Sequence, residues 1–303
     1  MGFYAVVFLQ RQYWGKSLKF LLKKGIIIIS INIKAGEDMK IDSHVHAFTD
    51  SIAEKAVKNL SATAKTAPNT DGTVKDCRRA LAECGVDYGV LLPIATKPHQ
   101  QETINNWAAD VNTGNIISFG TVHPGNPDYL TELERIKALG LKGVKLHPDY
   151  QGFFIFEQRL IPFWQRCAEL DLPVTIHMGY DPVSPLTHRA MPQDLAYIHE
   201  KVPKVKIIAA HMGGMFMWEA AYEYVCGDPF IWLDTAYTAG MLNESLMEQM
   251  IKKHGADRVL FASDLPWHKP TDEEEVLNRL NLTDGEKDKI FFKNAVELLK
   301  LNI

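Results

Sequence analysis

Two histidines, His44 and His46, stand one residue apart in the stretch Lys40–Phe48 and are the first residues of this chain that suggest chemistry. Apolar Ile41 and Val45 alternate with polar residues there, which predicts a β-strand with both imidazoles on one face. Two neutral imidazoles one pleat apart can bind one cation. The pair alone is a weak signal, because most such pairs are hydrogen-bonded or surface features, so the hypothesis needs ligands from later strands.

Side chains that bind metals or transfer protons recur at the ends of later predicted strands: His147, His177, His211, Asp234 and Asp264. Three imidazoles and one carboxylate suit Zn²⁺ or another borderline divalent ion, with an open position for water or substrate. Such a metal lowers the pKa of its bound water to ~7 and so supplies hydroxide. A group beyond the ligands must then orient that water and take its proton. We expect His211 to be this group.

The elements that must position these residues alternate between strands and helices. Strands are predicted at the His44–His46 pair and at residues 88–92, 116–121, 143–147, 173–177, 205–211, 230–234 and 258–264. Helices are predicted at residues 51–60, 74–84, 101–112, 130–139, 156–170, 194–201, 215–225, 245–254, 272–280 and 286–301. Eight such units predict an α/β fold, a closed (β/α)₈ TIM barrel in a single domain, with the site at the carboxyl ends of the strands. An open doubly wound sheet is the alternative, but no G-x-G-x-x-G follows the first strand.

Composition narrows the class of protein. The 303 residues are 46% hydrophobic and 23% charged, which is typical of a globular domain. The net charge of −4, without a basic block, disfavours nucleic acid and favours a small-molecule substrate; a homo-oligomer is compatible with the sequence. The four cysteines show no C-x-x-C spacing, and a chain of this length does not need disulfides, so a cytoplasmic location is expected.

Residues 1–38 differ from the rest of the chain. Two apolar runs, Phe3–Leu9 and Ile26–Ile33, are separated by basic residues, and neither reaches the ~18 to 20 residues of a membrane span. Most of the basic residues follow the first run, which is the reverse of a signal peptide. We therefore predict that residues 1–38 are an N-terminal extension outside the functional chain, which would occupy residues 39–303. An interfacial membrane anchor is the alternative.

Several motifs together resemble the metal-dependent amidohydrolase superfamily, in the amidohydrolase-related branch that includes aminocarboxymuconate-semialdehyde decarboxylase. They are His44-Val45-His46, His177 after a strand, Ala210-His211-Met212-Gly213-Gly214, Leu260 to Trp267, and Asn294-Ala295. The resemblance covers about residues 40–300, with the motifs in the family's order. It implies one metal bound by His44, His46, His177 and Asp264. It also implies that His211 activates water or polarises the substrate and that Asp264 takes part in proton transfer.

The sequence departs from the family members that bind two metals, because their fourth strand ends in a carbamylated lysine. Here Lys145 and His147 share a strand face, with His147 at the tip, so we expect one divalent metal, with Zn²⁺ favoured. Lys145 is expected inside the barrel, where its charge meets an anionic substrate. The alternative is a buried ion pair with Asp42 or Asp234.

The remaining expectations concern the pocket. The predicted substrate-binding residues lie at or beyond strand ends: Lys145, His147, Tyr180, Arg189 and Trp267. Loop residues at these positions can equally be packing residues. Three histidines on or beside helices are predicted to lie at the surface: His99, His199 and His254.

The predicted activity is hydrolysis of a C–N or C–O bond of a small molecule by metal-bound hydroxide. The alternative is non-oxidative decarboxylation of an aromatic or unsaturated acid, for which Lys145 and Arg189 are the few cationic groups near the strand ends. A barrel that binds a ligand without turnover is the least favoured of the three, because both metal ligands and a candidate base are present.

Overall fold

The structure, a computed structural model, describes residues 16–23, 26–33, 39–184 and 186–303, and the chain divides into two units, Met1–Met39 and Lys40–Ile303. In the first unit, the strands Lys16–Lys23 and Ile26–Ile33 pair antiparallel. The predicted apolar run Phe3–Leu9 lies outside the described residues. None of the described helices is long and apolar enough to cross a membrane.

The second unit is the predicted (β/α)₈ barrel. Its strands are β1 (Ile41–Val45), β2 (Tyr88–Leu91), β3 (Ile116–Ser118 and Gly120–Thr121), β4 (Val144–Leu146), β5 (Val174–Ile176), β6 (Ile207–Ala209), β7 (Ile231–Asp234) and β8 (Val259–Leu260). Each pairs in parallel with the next, from β1 to β3 and from β3 to β8. The strands are rich in buried Val, Ile and Leu, as expected when helices cover the outside and side chains fill the inside.

The barrel closes between β8 and β1 through backbone hydrogen bonds beyond the regular ladder. Ser43 N donates to Phe261 O at 2.8 Å, and Asp264 N donates to His44 O at 2.9 Å. The predicted eighth strand, residues 258–264, is therefore regular only over Val259–Leu260, because the chain bends as it follows β1 and Asp264 adopts a φ of 72°. This bend places the Asp264 carboxylate beside the imidazoles of β1.

Helices surround the strands. They are α1 (Ala53–Ala64), α2 (Val74–Glu83), α3 (Gln101–Val111), α4 (Tyr129–Ala138), α5 (Pro148–Gln151), α6 (Ile161–Leu170), α7 (Leu195–Lys201), α8 (Trp218–Tyr224), α9 (Glu244–His254), α10 (Pro270–Arg279), α11 (Asp284–Asp288) and α12 (Asn294–Leu299). The predicted helix 156–170 begins only at Ile161, where Pro162 occupies the first turn. The predicted helix 286–301 is interrupted by a π-helical segment, Lys289–Lys293.

The three histidines predicted at the surface have different environments. His99 is exposed, whereas His199 is half-buried with its Nδ1 2.6 Å from Asp228 Oδ2. His254 is fully buried, so the prediction was wrong for this residue. It belongs to the inward face of α9, together with Met247, Met250 and Ile251. Because residues three, four and seven positions apart share a helix face, His254 continues an apolar stripe.

Candidate metal centre and active-site cavity

Three of the four predicted metal ligands meet at the carboxyl end of β1. His44 Nε2 lies 3.1 Å from His46 Nε2, and Asp264 Oδ1 lies 3.3 Å and 3.2 Å from these two atoms. The planes of the two imidazoles are inclined at 72°, so both nitrogens point at the same space. Two imidazoles and a carboxylate around one point are a common divalent-metal donor set.

The hydrogen bonds on the far side of each ring fix which nitrogen carries the proton. His44 Nδ1 lies 2.9 Å from Asp234 Oδ2, and His46 Nδ1 lies 2.9 Å from the Leu92 carbonyl oxygen. Because a carboxylate and a carbonyl only accept hydrogen bonds, each Nδ1 donates and each Nε2 presents a lone pair. Two lone pairs that face each other at 3.1 Å repel. A cation between them removes this repulsion, so these residues fit a metal ion.

Burial keeps the His44 imidazole neutral. Desolvation, together with the neighbouring charge of Lys145, holds the pKa of His44 well below its usual range. Burial likewise lowers the pKa of Lys145 to about 8. The Lys145 Nζ lies 3.1 Å from His44 Nε2, and within the described residues it forms no ion pair with Asp42 or Asp234. The neutral imidazole is the form that binds a metal, so burial favours the predicted chemistry.

Asp42, on the same strand as His44, links the two segments that carry the group of His44, His46 and Asp264. Its Oδ1 accepts hydrogen bonds from His44 N at 3.1 Å and Ser263 N at 2.9 Å, and its Oδ2 accepts one from Ser263 Oγ. Burial nevertheless raises the pKa of Asp42 to about 7. These bonds join β1 to the segment that carries Asp264, so they fix the position of one ligand relative to another.

The fourth predicted ligand, His177, lies outside this group of three and contacts His211. Its Nδ1 is 3.0 Å from His211 Nε2. His211 Nδ1 donates to the Ala236 carbonyl at 2.9 Å, so its Nε2 is an acceptor. Asp234 Oδ1 accepts from His211 N at 2.8 Å, while Oδ2 accepts from His44. One carboxylate of β7 therefore orients both the first ligand and the predicted base.

His177 also belongs to a second group, with His147 and Asp181, whose potential donor atoms lie within 4.8 Å of one another. The imidazoles of His147 and His177 are stacked, with ring centroids 4.2 Å apart and planes inclined by only 12°. Nitrogen lone pairs lie in the ring plane, so two nearly parallel rings do not direct them at one ion. As arranged, this second group does not fit a metal, in contrast to the first.

A cavity of about 490 Å³ opens above these residues. Imidazoles and carboxyls line its base: His46, His147, His177, Asp181 and Asp264. Apolar and aromatic side chains form most of its wall, including the predicted Trp267. The Tyr150 ring stacks on the His147 imidazole, with ring centroids 3.6 Å apart, and also lines the cavity.

The other predicted substrate-binding residues lie elsewhere. Lys145 is buried beneath the cavity, beside His44. Arg189 extends away from it, with Nη1 3.5 Å from Asp149 Oδ1. The Tyr180 ring packs near the Phe216 ring, with the two ring centroids 5.7 Å apart. Among the described residues, none of these three side chains lines the cavity.

Two lining residues, Tyr150 and Asp181, were missed in the sequence. The Tyr150 hydroxyl donates to Asp181 Oδ1 at 3.4 Å, and Asp181 Oδ2 is buried without a hydrogen-bond partner. Burial raises the pKa of Asp181 to about 6. Both residues lie beyond strand ends at positions without a fixed spacing to the ligands, so the sequence offers no signal for them.

The barrel and its imidazole–carboxylate cluster define a metal-binding (β/α)₈ enzyme of the kind whose site opens at the carboxyl ends of the strands. The chain belongs to the amidohydrolase family, which it matches over residues 41–301. This confirms the resemblance seen in the sequence.

Similar proteins include several decarboxylases. The γ-resorcylate decarboxylase of Polaromonas sp. (strain JS666) is 24% identical, and the match covers 56% of this chain and 66% of that protein, just under two thirds. A 2,6-dihydroxybenzoate decarboxylase from Rhizobium has a TM-score of 0.67 at 18% identity, covering 88% of this chain and 100% of that one. A 5-carboxyvanillate decarboxylase from Novosphingobium aromaticivorans, complexed with manganese and 4-hydroxy-3-methoxy-5-nitrobenzoic acid, has a TM-score of 0.67 at 19% identity. That match covers 88% of this chain and 97% of the decarboxylase. Structural similarity at 18% to 19% sequence identity shows that the fold is shared.

Proposed function

We propose that this protein is a metal-dependent decarboxylase that removes the carboxylate of an aromatic acid without an oxidant. The observation that carries the proposal is the position of an aromatic-walled, mostly apolar cavity directly above the metal donor cluster. The decarboxylases among the similar proteins support this alternative over the predicted hydrolysis, for which membership of the family is the only support.

The character of the cavity suits the loss of CO₂. No lysine or arginine is among the described residues that line it, so the carboxylate of a bound acid lies towards the metal donors and its ring lies against the largely apolar wall. An apolar wall over the ring excludes water from the carbon that loses CO₂. Lys145 and Arg189, the cationic groups that we expected to hold the substrate, are not among these lining residues.

A divalent metal at this site would supply a Lewis acid for the carboxylate or hydroxyl oxygens of the substrate. We propose His44, His46 and Asp264 as its ligands, together with His177, whose Nδ1 adjoins the His211 imidazole. Zn²⁺ fits this donor set, and manganese, present in one similar decarboxylase, is the first other ion to test.

The reaction needs a proton at the ring carbon that loses CO₂, because the electron pair of the broken bond remains there. Two carboxyls face the cavity. Burial raises the pKa of Asp264, but the hydrogen bond to His46 and the adjoining imidazoles outweigh it and hold this pKa below its usual value. Asp181, with a raised pKa and a free Oδ2, is the better proton donor. His211, predicted to be the base, is buried below and would position His177.

The proposal is tested with protein loaded separately with Zn²⁺ and Mn²⁺, supplied in D₂O with a panel of hydroxybenzoic acids, lactones and amides. We expect release of CO₂ and one deuterium at the vacated ring carbon. A His44→Ala/His46→Ala double variant is the control for reaction without metal. Cleavage of a lactone or amide with oxygen from water in the product, and no CO₂ from any acid, would overturn the assignment.

A further inference from the structure

The cavity has two chemically different sides. Its imidazoles and carboxyls come from the ends of β1, β4, β5 and β8. Apolar side chains of α1 and α3, the helices after the first two strands, supply another part of the wall. One part of the cavity can therefore bind polar groups, and the side chains of α1 and α3 add an apolar part.

The helix side of the wall follows from helical spacing. Leu60 and Ala64 lie one turn apart on α1, and Ile104 and Trp107 lie one turn apart on α3, so each pair presents one face to the cavity. These four side chains are half-buried and line the cavity. Apolar surface that lines a cavity in this way gains free energy when a ligand covers it.

This wall is held in place by the loop that follows α1. Asn69 donates to the Pro266 carbonyl through its backbone N at 2.8 Å and its Nδ2 at 3.1 Å. Thr66 Oγ1 lies 3.1 Å from the Tyr237 hydroxyl, which also lines the cavity. Gly72 permits close packing beneath α1, since a Cβ there would lie 2.4 Å from Val57 Cγ2 and its φ is 85°. The apolar side is thus a fixed part of the cavity.

We propose that the substrate is an aryl carboxylate with an alkyl or aryl substituent on the ring, directed away from the carboxylate and lying against Leu60, Ala64 and Trp107. A cavity of about 490 Å³ falls within the range of ~300 to 1,000 Å³ that encloses drug-sized ligands, and a single unsubstituted ring would leave this wall in contact with water. The assignment of the carboxylate to the metal end rests on the proposed function; the apolar substituent rests on the wall alone.

The test uses two series with an alkyl chain, from hydrogen to butyl, para to the group at the metal end. The 4-alkylsalicylates report kcat/KM for CO₂ release, and the 5-alkyl-2-nitrophenols, in which a nitro group replaces the carboxylate, report Kd by calorimetry. We expect each added methylene to increase kcat/KM and to tighten binding by about fourfold until the wall is covered. Because the second series needs no turnover, it tests the wall even if the protein is not a decarboxylase.

Substitutions on α1 test whether the dependence of affinity on chain length arises at the apolar wall. Ala64→Phe fills the space against the wall and should abolish the dependence of affinity on chain length, whereas Ala62→Phe, on the exposed face of the same helix, should preserve it. If Ala64→Phe does not fold, Leu60→Ala should weaken binding of the butyl compound more than that of the unsubstituted one. Affinities that do not change with chain length in the unmodified protein would overturn the proposal. A chain-length effect on nitrophenol binding without CO₂ release would overturn the decarboxylase assignment and leave this one intact.

Discussion

The histidines at the two ends of the barrel differ in their hydrogen bonds more than in their burial, since His254 and His44 are both fully buried. His254, at the amino-terminal end, accepts from Gly227 N at 3.1 Å through Nδ1 and donates to the Ile231 carbonyl at 3.0 Å through Nε2. His44 and His46 each satisfy Nδ1 and direct Nε2 at the other's Nε2 and at Asp264 Oδ1, and Lys145 Nζ lies 3.1 Å from His44 Nε2. Burial lowers the pKa of both His254 and His44, so a lowered pKa does not identify a site. The convergence of three acceptor atoms, His44 Nε2, His46 Nε2 and Asp264 Oδ1, does identify one.

The largest effect is expected from removing one of the two converging Nε2 atoms, of His44 or His46. His44→Ala and His46→Ala should each abolish both metal binding and activity, because each leaves the proposed four-ligand site one donor short and opens a position to water. Elemental analysis and turnover on one preparation measure this, with the exposed His99→Ala as the matched control. Retention of a full equivalent of metal in both variants would show that the ligands are elsewhere.

Substitution of His211 tests the role of the imidazole that lies beneath the proposed metal ligands. His211→Asn preserves much of the side chain's size but cannot take a proton near neutral pH. If His211 acts in proton transfer, turnover should fall by roughly 10² to 10⁴ with the metal retained, and the pH–rate profile should lose one limb. If it only positions His177, the loss should be smaller and the profile should keep its shape. Loss of metal instead would show that His211 is itself a ligand.

Substitution of Asp234 tests whether its carboxylate keeps the lone pair of His44 on Nε2. In Asp234→Asn the amide can present an N–H to His44 Nδ1, which would move the proton to Nε2 and block the donor atom. Metal affinity should fall by about 10- to 100-fold, the usual effect of losing such a partner. Calorimetric titration with Zn²⁺ measures this. An unchanged affinity would contradict the role of the Asp234 carboxylate in selecting the tautomer.

Much of this site follows from sequence because it depends on regular elements. The two-residue period of β1 places His44 and His46 on one face, and parallel strands bring His177 and Asp264 to the same rim. The tautomers do not follow from the sequence, since they depend on Asp234, about 190 positions away from His44.

The errors have particular physical causes. The separation of His177 from the first cluster depends on the rotation of its ring onto His147, which no pattern encodes. The burial of His254 was encoded, in the stripe with Met247 and Ile251, but a polar residue at a helix end favours the surface prediction.

His254 should also contribute to acid sensitivity. Burial lowers its pKa from 6.5 to about 4, so the folded state keeps it neutral while the unfolded state takes up a proton. The stabilisation is complete above pH 6.5 and is lost as the pH falls towards 4, by up to about 3 kcal/mol. His254→Gln should reduce this acid-dependent loss, measured as the difference in free energy of unfolding from the unmodified protein at each pH. Parallel curves for the two proteins would contradict it.

The smallest effect is expected from removing residues 1–38. The bonds that close the barrel, between β8 and β1, lie within Lys40–Ile303, so a chain that starts at Met39 should fold and bind metal with an unchanged melting temperature. Calorimetric melting and metal analysis provide the check. Loss of soluble protein would show that the extension is needed.

The central claim is that one cation joins the two facing nitrogens. Anomalous diffraction from crystals grown with manganese tests it directly. We expect a single peak per chain, bonded to His44 Nε2, His46 Nε2, Asp264 Oδ1 and the His177 imidazole. A peak between His147 and Asp181, with none beside His44, would contradict it.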